Sequence, residues 1–331
     1  MTNNEMKIPT EPLLDPKNDR NAILPIIHSD IWAAYKQHES LIWHAHEIKL
    51  DHDIIKWEAL NDDEKYFLKH ILAFFANSDK LVADNLCSRF CSEVQLPEAK
   101  FFYTFQAMAE NIHSETYSKL IDAYIPDKNE KDRLFNAVEH IPCIAQKSDW
   151  ATKWINSDDR FAARLVAFAT FEGIMFSGSF CSIYWMNERN MISGLAKANE
   201  FIARDEGLHT SFACLLYTKY IVNKLPYETV AEIITEAVDL EINFITDALP
   251  CRLLGMNSDN MIKYVKFVAN RLVAQLGYPE LYKGVEQPFP FMDRINLREK
   301  SNFFEEEVGA YRKFDNENKE DINVDPYEDC F

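Results

Sequence analysis

Residues 102–122 read FYTFQAMAENIHSETYSKLID, and residues 203–216 read ARDEGLHTSFACLL. Each stretch holds a Glu-x-x-His, Glu110 with His113 and Glu206 with His209. Both have the length and periodicity of long helices, where a spacing of three puts the two side chains on one face, within reach of one metal ion. With 9 histidines in the chain, about one such pair arises by chance, so the weight lies in the surroundings. Tyr103 and Ala107 share the first face; Ile202, Ala203 and Ala213 share the second. Both pairs therefore point toward a core.

Two further acids stand where apolar residues belong. In the helix predicted at 63–90, Leu68, Leu72, Phe75, Val82 and Leu86 form one stripe, and Asp79 lies within it. In the helix predicted at 159–187, Glu172 is flanked by Leu165, Phe168, Ala169, Met175 and Phe176. A buried, unpaired carboxylate costs several kcal/mol and is normally paired, protonated or bound to metal. A structural ion pair would account for either acid alone. Together, Asp79, Glu110, His113, Glu172, Glu206 and His209 make four carboxylates and two imidazoles on four helices. That is the ligand set of di-iron and di-manganese bundles, in which carboxylates bridge and offset two cations. The fold expected is all-α, a ferritin-like helical bundle with a di-metal carboxylate site in its core.

The rest of the chain agrees. Further helices are expected near 29–40, 97–124, 129–154, 196–222, 227–248 and 257–276, with Pro97, Pro126, Pro226 and Pro250 between them. Only 8 glycines in 331 residues disfavour sandwiches, dinucleotide folds and phosphate loops, which need glycine turns. Residues 1–25, with four prolines, read as an irregular arm; 26–310 read as the bundle domain; 311–331 are acidic and poor in apolar residues, a flexible tail. A net charge of −18 argues against nucleic acid. Seven cysteines without a C-x-x-C pair suit a reducing compartment. No apolar signal segment opens the chain, and the most apolar stretch, 162–185, carries Glu172 and several hydroxyls, so no membrane span is expected. The cytoplasm is the expected location.

Carboxylate bundles serve as iron stores, desaturases, hydroxylases and radical generators, and fold alone does not choose among them. Tyr117 bears on the choice. It lies four residues after His113 and seven after Glu110, one turn on along the same face. A phenol so placed can lose an electron to an oxidised metal pair, although a core tyrosine would have the same spacing. Phe176, Phe180 and Ile202 fall on faces that can enclose its ring.

Over residues 29–310 the chain resembles the small subunit of class I ribonucleotide reductase, in its eukaryotic and poxviral branch. The motifs are LAFFANSD (72–79), FYTFQAMAENIHSETYSKLID (102–122), FEGIMFSGSF (171–180), ARDEGLHTSFACLL (203–216) and NFFEEEVGAY (302–311). The resemblance implies that the six residues above hold two iron ions, that the centre reacts with O2, and that Tyr117 stores a radical. It implies a path through His113, Asp205 and Trp43 to Tyr311, and from there to a separate large subunit that reduces ribonucleotides. It also implies a homodimer, and a tail whose Glu328, Asp329 and Phe331 dock on the large subunit. The chain departs from the family at WHAHEIKL (43–50), at Lys80 and in its EDCF ending.

Overall fold

The computed structural model describes residues 11–189, 192–248 and 250–292. Tyr311, Glu328, Asp329 and Phe331 lie outside the described residues. The chain divides into two units after Pro288. Of the second, only Phe289–Met292 is described, with the rings of Phe289 and Phe291 5.4 Å apart.

The first unit is helical, and no strand occurs among its described residues. Its elements are α1 (Ser29–Ser40), α2 (Asp51–Glu58), α3 (Asp62–Asn85), α4 (Pro97–Tyr124), α5 (Lys128–Phe135), α6 (Pro142–Ile155), α7 (Phe161–Thr170), α8 (Ser177–Glu188), α9 (Ser193–Tyr220), α10 (Tyr227–Ile242) and α11 (Ser258–Gln275). Local chemistry sets several of their ends. Asn61 and Glu64 form a reciprocal capping box at the start of α3. Pro97 and Pro142 occupy first turns, where a missing N–H costs nothing. The helix expected over 129–154 is interrupted at Asn136, whose backbone is non-helical, and again before Pro142, which cannot continue a preceding helix. The short α2 went unforeseen in the polar run DHDIIKWE.

Four helices build the core in two pairs. α3 lies along α4 and α7 lies along α9, while α1 covers α4. Residues 161–188 would be long and apolar enough to cross a bilayer, but the apolar window is 94% buried inside the protein, so it is a core helix. Within it, Phe171–Met175 forms a π-helical turn between α7 and α8. Such turns insert an extra residue and re-aim the side chains they carry. This one carries Glu172.

The freed backbone groups of that turn find a buried ion pair. Lys147 Nζ on α6 donates to Met175 O (2.5 Å) and to Glu241 Oε2 on α10 (2.6 Å). Glu241 Oε1 accepts the Gly178 N–H at 2.9 Å. A Cβ at Gly178 would stand 2.6 Å from that same oxygen, so glycine is required for the approach.

Candidate metal centre

Each helix pair contributes ligands, and all six candidates are buried. Carboxylate oxygens of Glu110, Glu172 and Glu206 and a ring nitrogen of His209 lie within 4.8 Å of one another. His209 Nδ1 faces Glu110 Oε1 (3.1 Å), Glu206 Oε2 (3.2 Å) and Glu172 Oε2 (3.5 Å). His113 Nδ1 lies 3.2 Å from both Glu110 Oε2 and Glu206 Oε1. Asp79, from α3, enters the same electrostatic cluster, where its strongest neighbour is Glu110.

The electrostatics follow from burying four acids together. Burial, then repulsion from Glu110, holds the Asp79 carboxyl well above the usual range. Burial and the Glu206 charge do the same to Glu172. For His113 and His209 burial favours the neutral ring, but the surrounding carboxylates outweigh it and raise both well above the ordinary value. Asp79 Oδ2 has no hydrogen-bond partner among the described residues, and Glu110 Oε1 and Glu172 Oε2 share the single Nδ1 of His209. A cluster this acidic needs cations, in the form of protons or metal ions.

Around it lie outer partners. Asp205 Oδ2 accepts the Trp43 Nε1–H at 2.8 Å and lies 3.2 Å from His113 Nε2. The Trp43 and His113 rings stack with centroids 6.1 Å apart. Arg204 donates to Asp205 Oδ1 and to Leu41 O. On the other side, His209 Nε2 meets His38 Nε2 at 3.3 Å. Burial pushes the His38 ring down to about 3.

Tyr117 is 1% exposed, and its hydroxyl has no hydrogen-bond partner among the described residues. Burial, then the Asp79 charge, raises the phenol well above its usual value. Phe75 stacks on its ring at 4.6 Å. Phe176 and Phe180 pack on Phe75 at 5.7 and 5.1 Å, and Ile202 is buried on α9. Phe75 was legible in the sequence as an apolar residue one turn before Asp79, but not as the ring against Tyr117. His38 and Arg204 carried no sequence signal, because their partners lie more than 160 residues away or beside an acid whose burial was unknown.

The fold and this cluster define a helical bundle with a buried carboxylate–histidine group that could hold metal ions. A family model for the ribonucleotide reductase small chain matches residues 20–288. The chain is 56% identical over 303 residues to the ribonucleoside-diphosphate reductase small chain of Trypanosoma brucei brucei, covering 92% of this chain and 90% of that one. It is 51% identical over 311 residues to the small chain of Vaccinia virus (strain Ankara), covering 94% and 97%. A solved ribonucleotide reductase homodimer from Saccharomyces cerevisiae superposes with a TM-score of 0.78 at 36% identity, covering 91% of this chain and 92% of that one. The chain belongs to the ribonucleotide reductase small-chain family, and the enzyme it serves is ribonucleoside-diphosphate reductase, an oxidoreductase.

Proposed function

We propose that this small chain generates and stores a radical on Tyr117, using two iron ions held by Asp79, Glu110, His113, Glu172, Glu206 and His209. The observation that carries the reading is Tyr117 itself: a fully buried phenol without a hydrogen-bond partner, within the field of Asp79. The donor set fits two cations. The clustered carboxylate oxygens of Asp79, Glu110, Glu172 and Glu206 and two inward-facing Nδ1 atoms supply lone pairs, and the acids offset cationic charge. Bound iron would supply the oxidising power, drawn from O2, that removes one electron from the phenol.

The protein's own groups do the rest. Phe75, backed by Phe176 and Phe180, covers the Tyr117 ring, and keeping water from it lengthens the life of a radical there. Asp205 bridges the indole of Trp43 and the imidazole of His113, orients both, and can hold the indole proton when an electron leaves Trp43. We assign the onward transfer to Tyr311, and docking on the large subunit to the tail ending at Glu328, Asp329 and Phe331. An acidic segment carrying an aromatic side chain suits a basic-rimmed apolar groove. The yeast relative's description as a homodimer supports the same assembly for this chain. The six described cysteines are unpaired, as in a reducing compartment, which supports a cytoplasmic site.

The test is electron paramagnetic resonance after adding Fe(II) and O2 to the metal-free full chain. Wild type should give a tyrosyl signal; Tyr117→Phe should bind the same iron without it. An unchanged signal in Tyr117→Phe overturns the assignment. A chain lacking residues 325–331 should keep the signal but lose turnover with the large subunit, and full turnover would remove the tail from the reading.

A further inference from the structure

We propose that His38 is a positioning residue for His209, so that the two imidazoles of the centre are held by chemically unlike acceptors and the two cation positions differ in affinity. This rests on the assignment of His113 and His209 as ligands.

The positions of the ring protons follow from the contacts. His38 lies on α1, 2% exposed, between the rings of Phe102 (5.3 Å) and Phe105 (4.8 Å) and edge-on to His209. Two ring nitrogens 3.3 Å apart form a hydrogen bond only if one carries a proton and the other does not. The Nδ1 of His209 faces three carboxylate oxygens. If that nitrogen gives its lone pair to a metal, the ring proton sits on Nε2. His38 Nε2 is then the acceptor, and the His38 proton lies on its own Nδ1.

His113 has the same arrangement with a different acceptor. Its Nδ1 faces the cluster and its Nε2 faces Asp205, a carboxylate also bonded to Trp43 and Arg204. An anionic acceptor draws the imidazole proton toward itself and makes the ligating nitrogen more basic; a neutral imidazole does so less. The cation beside His113 should therefore bind more tightly than the one beside His209. One end of α1 governs both sides. His38 meets His209 directly, and three residues on Leu41 O accepts from Arg204, which holds Asp205.

The experiment is an anaerobic Fe(II) titration of the metal-free full-length chain by calorimetry, with 57Fe Mössbauer spectra at one and two equivalents. Wild type should show two steps of unequal affinity and two distinct ferrous sites. His38→Leu, which removes the acceptor, should weaken only the weaker step, by roughly tenfold to a hundredfold. His38→Gln, which restores an acceptor oxygen, should recover most of the loss. A His38→Leu titration that superposes on wild type, or weakens both steps equally, overturns the proposal, as does a His38→Gln chain no better than His38→Leu. His209→Ala separates this from the ligand assignment: it should bind one iron. If it binds two with wild-type affinity, the ligand assignment itself fails.

Discussion

Two places in the core bury carboxylates, and they are solved in opposite ways. Asp53, on α2 and fully buried, is saturated by the protein. It accepts from Tyr124 OH (2.8 Å), Ser193 Oγ (3.3 Å) and the N–H groups of Gly194 (2.9 Å) and Leu195 (2.8 Å) at the start of α9. The cluster of Asp79, Glu110, Glu172 and Glu206 concentrates more negative charge. Its positive partners among the described residues are two imidazoles, whose Nδ1 atoms are each shared by more than one carboxylate, and Asp79 Oδ2 has no partner. Burial alone therefore does not mark function. An acid whose lone pairs are met by fixed donors ties α2 to α9. Acids packed together with too few fixed donors could receive cations, and such a cluster costs stability.

That contrast can be broken most directly at Asp53. Asp53→Ala leaves two backbone N–H groups and a phenol without their acceptor, and should lower the unfolding free energy by about 3–5 kcal/mol in urea titrations. A loss under about 1 kcal/mol would mean that Asp53 is not saturated as described. Asp79→Asn should act in the opposite direction. In metal-free protein it removes a carboxyl that must either repel its neighbours or take up a proton, so stability at neutral pH should rise by about 1 kcal/mol. The same variant should bind less iron. Lower stability without metal would show the cluster to be satisfied internally.

Two buried tyrosines sharpen the comparison further. Tyr124→Phe deletes one donor to Asp53 and should cost about 1–1.5 kcal/mol. Tyr117→Phe deletes a hydroxyl with no partner and should change stability by about 0.5 kcal/mol or less, because no bond is lost and the ring volume is kept. Thermal unfolding of both metal-free variants decides the matter. Equal losses would mean that the Tyr117 hydroxyl has a partner.

Much of this protein was determined by its residues in linear order. Helical periodicity, few glycines and prolines at the breaks are local properties, and they dictated an all-α chain before any contact was known. The two Glu-x-x-His pairs were legible because a spacing of three has one meaning on a helix. Asp79 and Glu172 were legible because an acid inside an apolar stripe contradicts its surroundings. What only the tertiary structure decided were relations between helices. The π-turn that carries Glu172 is set by packing and held by Lys147 and Glu241, 94 residues apart in sequence. The stacking of Phe75 on Tyr117, the Trp43–Asp205 bond and the meeting of His38 with His209 each join residues from separate segments of the chain. Periodicity says which face a side chain occupies, but not which residue of another helix will stand opposite. That choice comes from the angle and register at which whole helices pack.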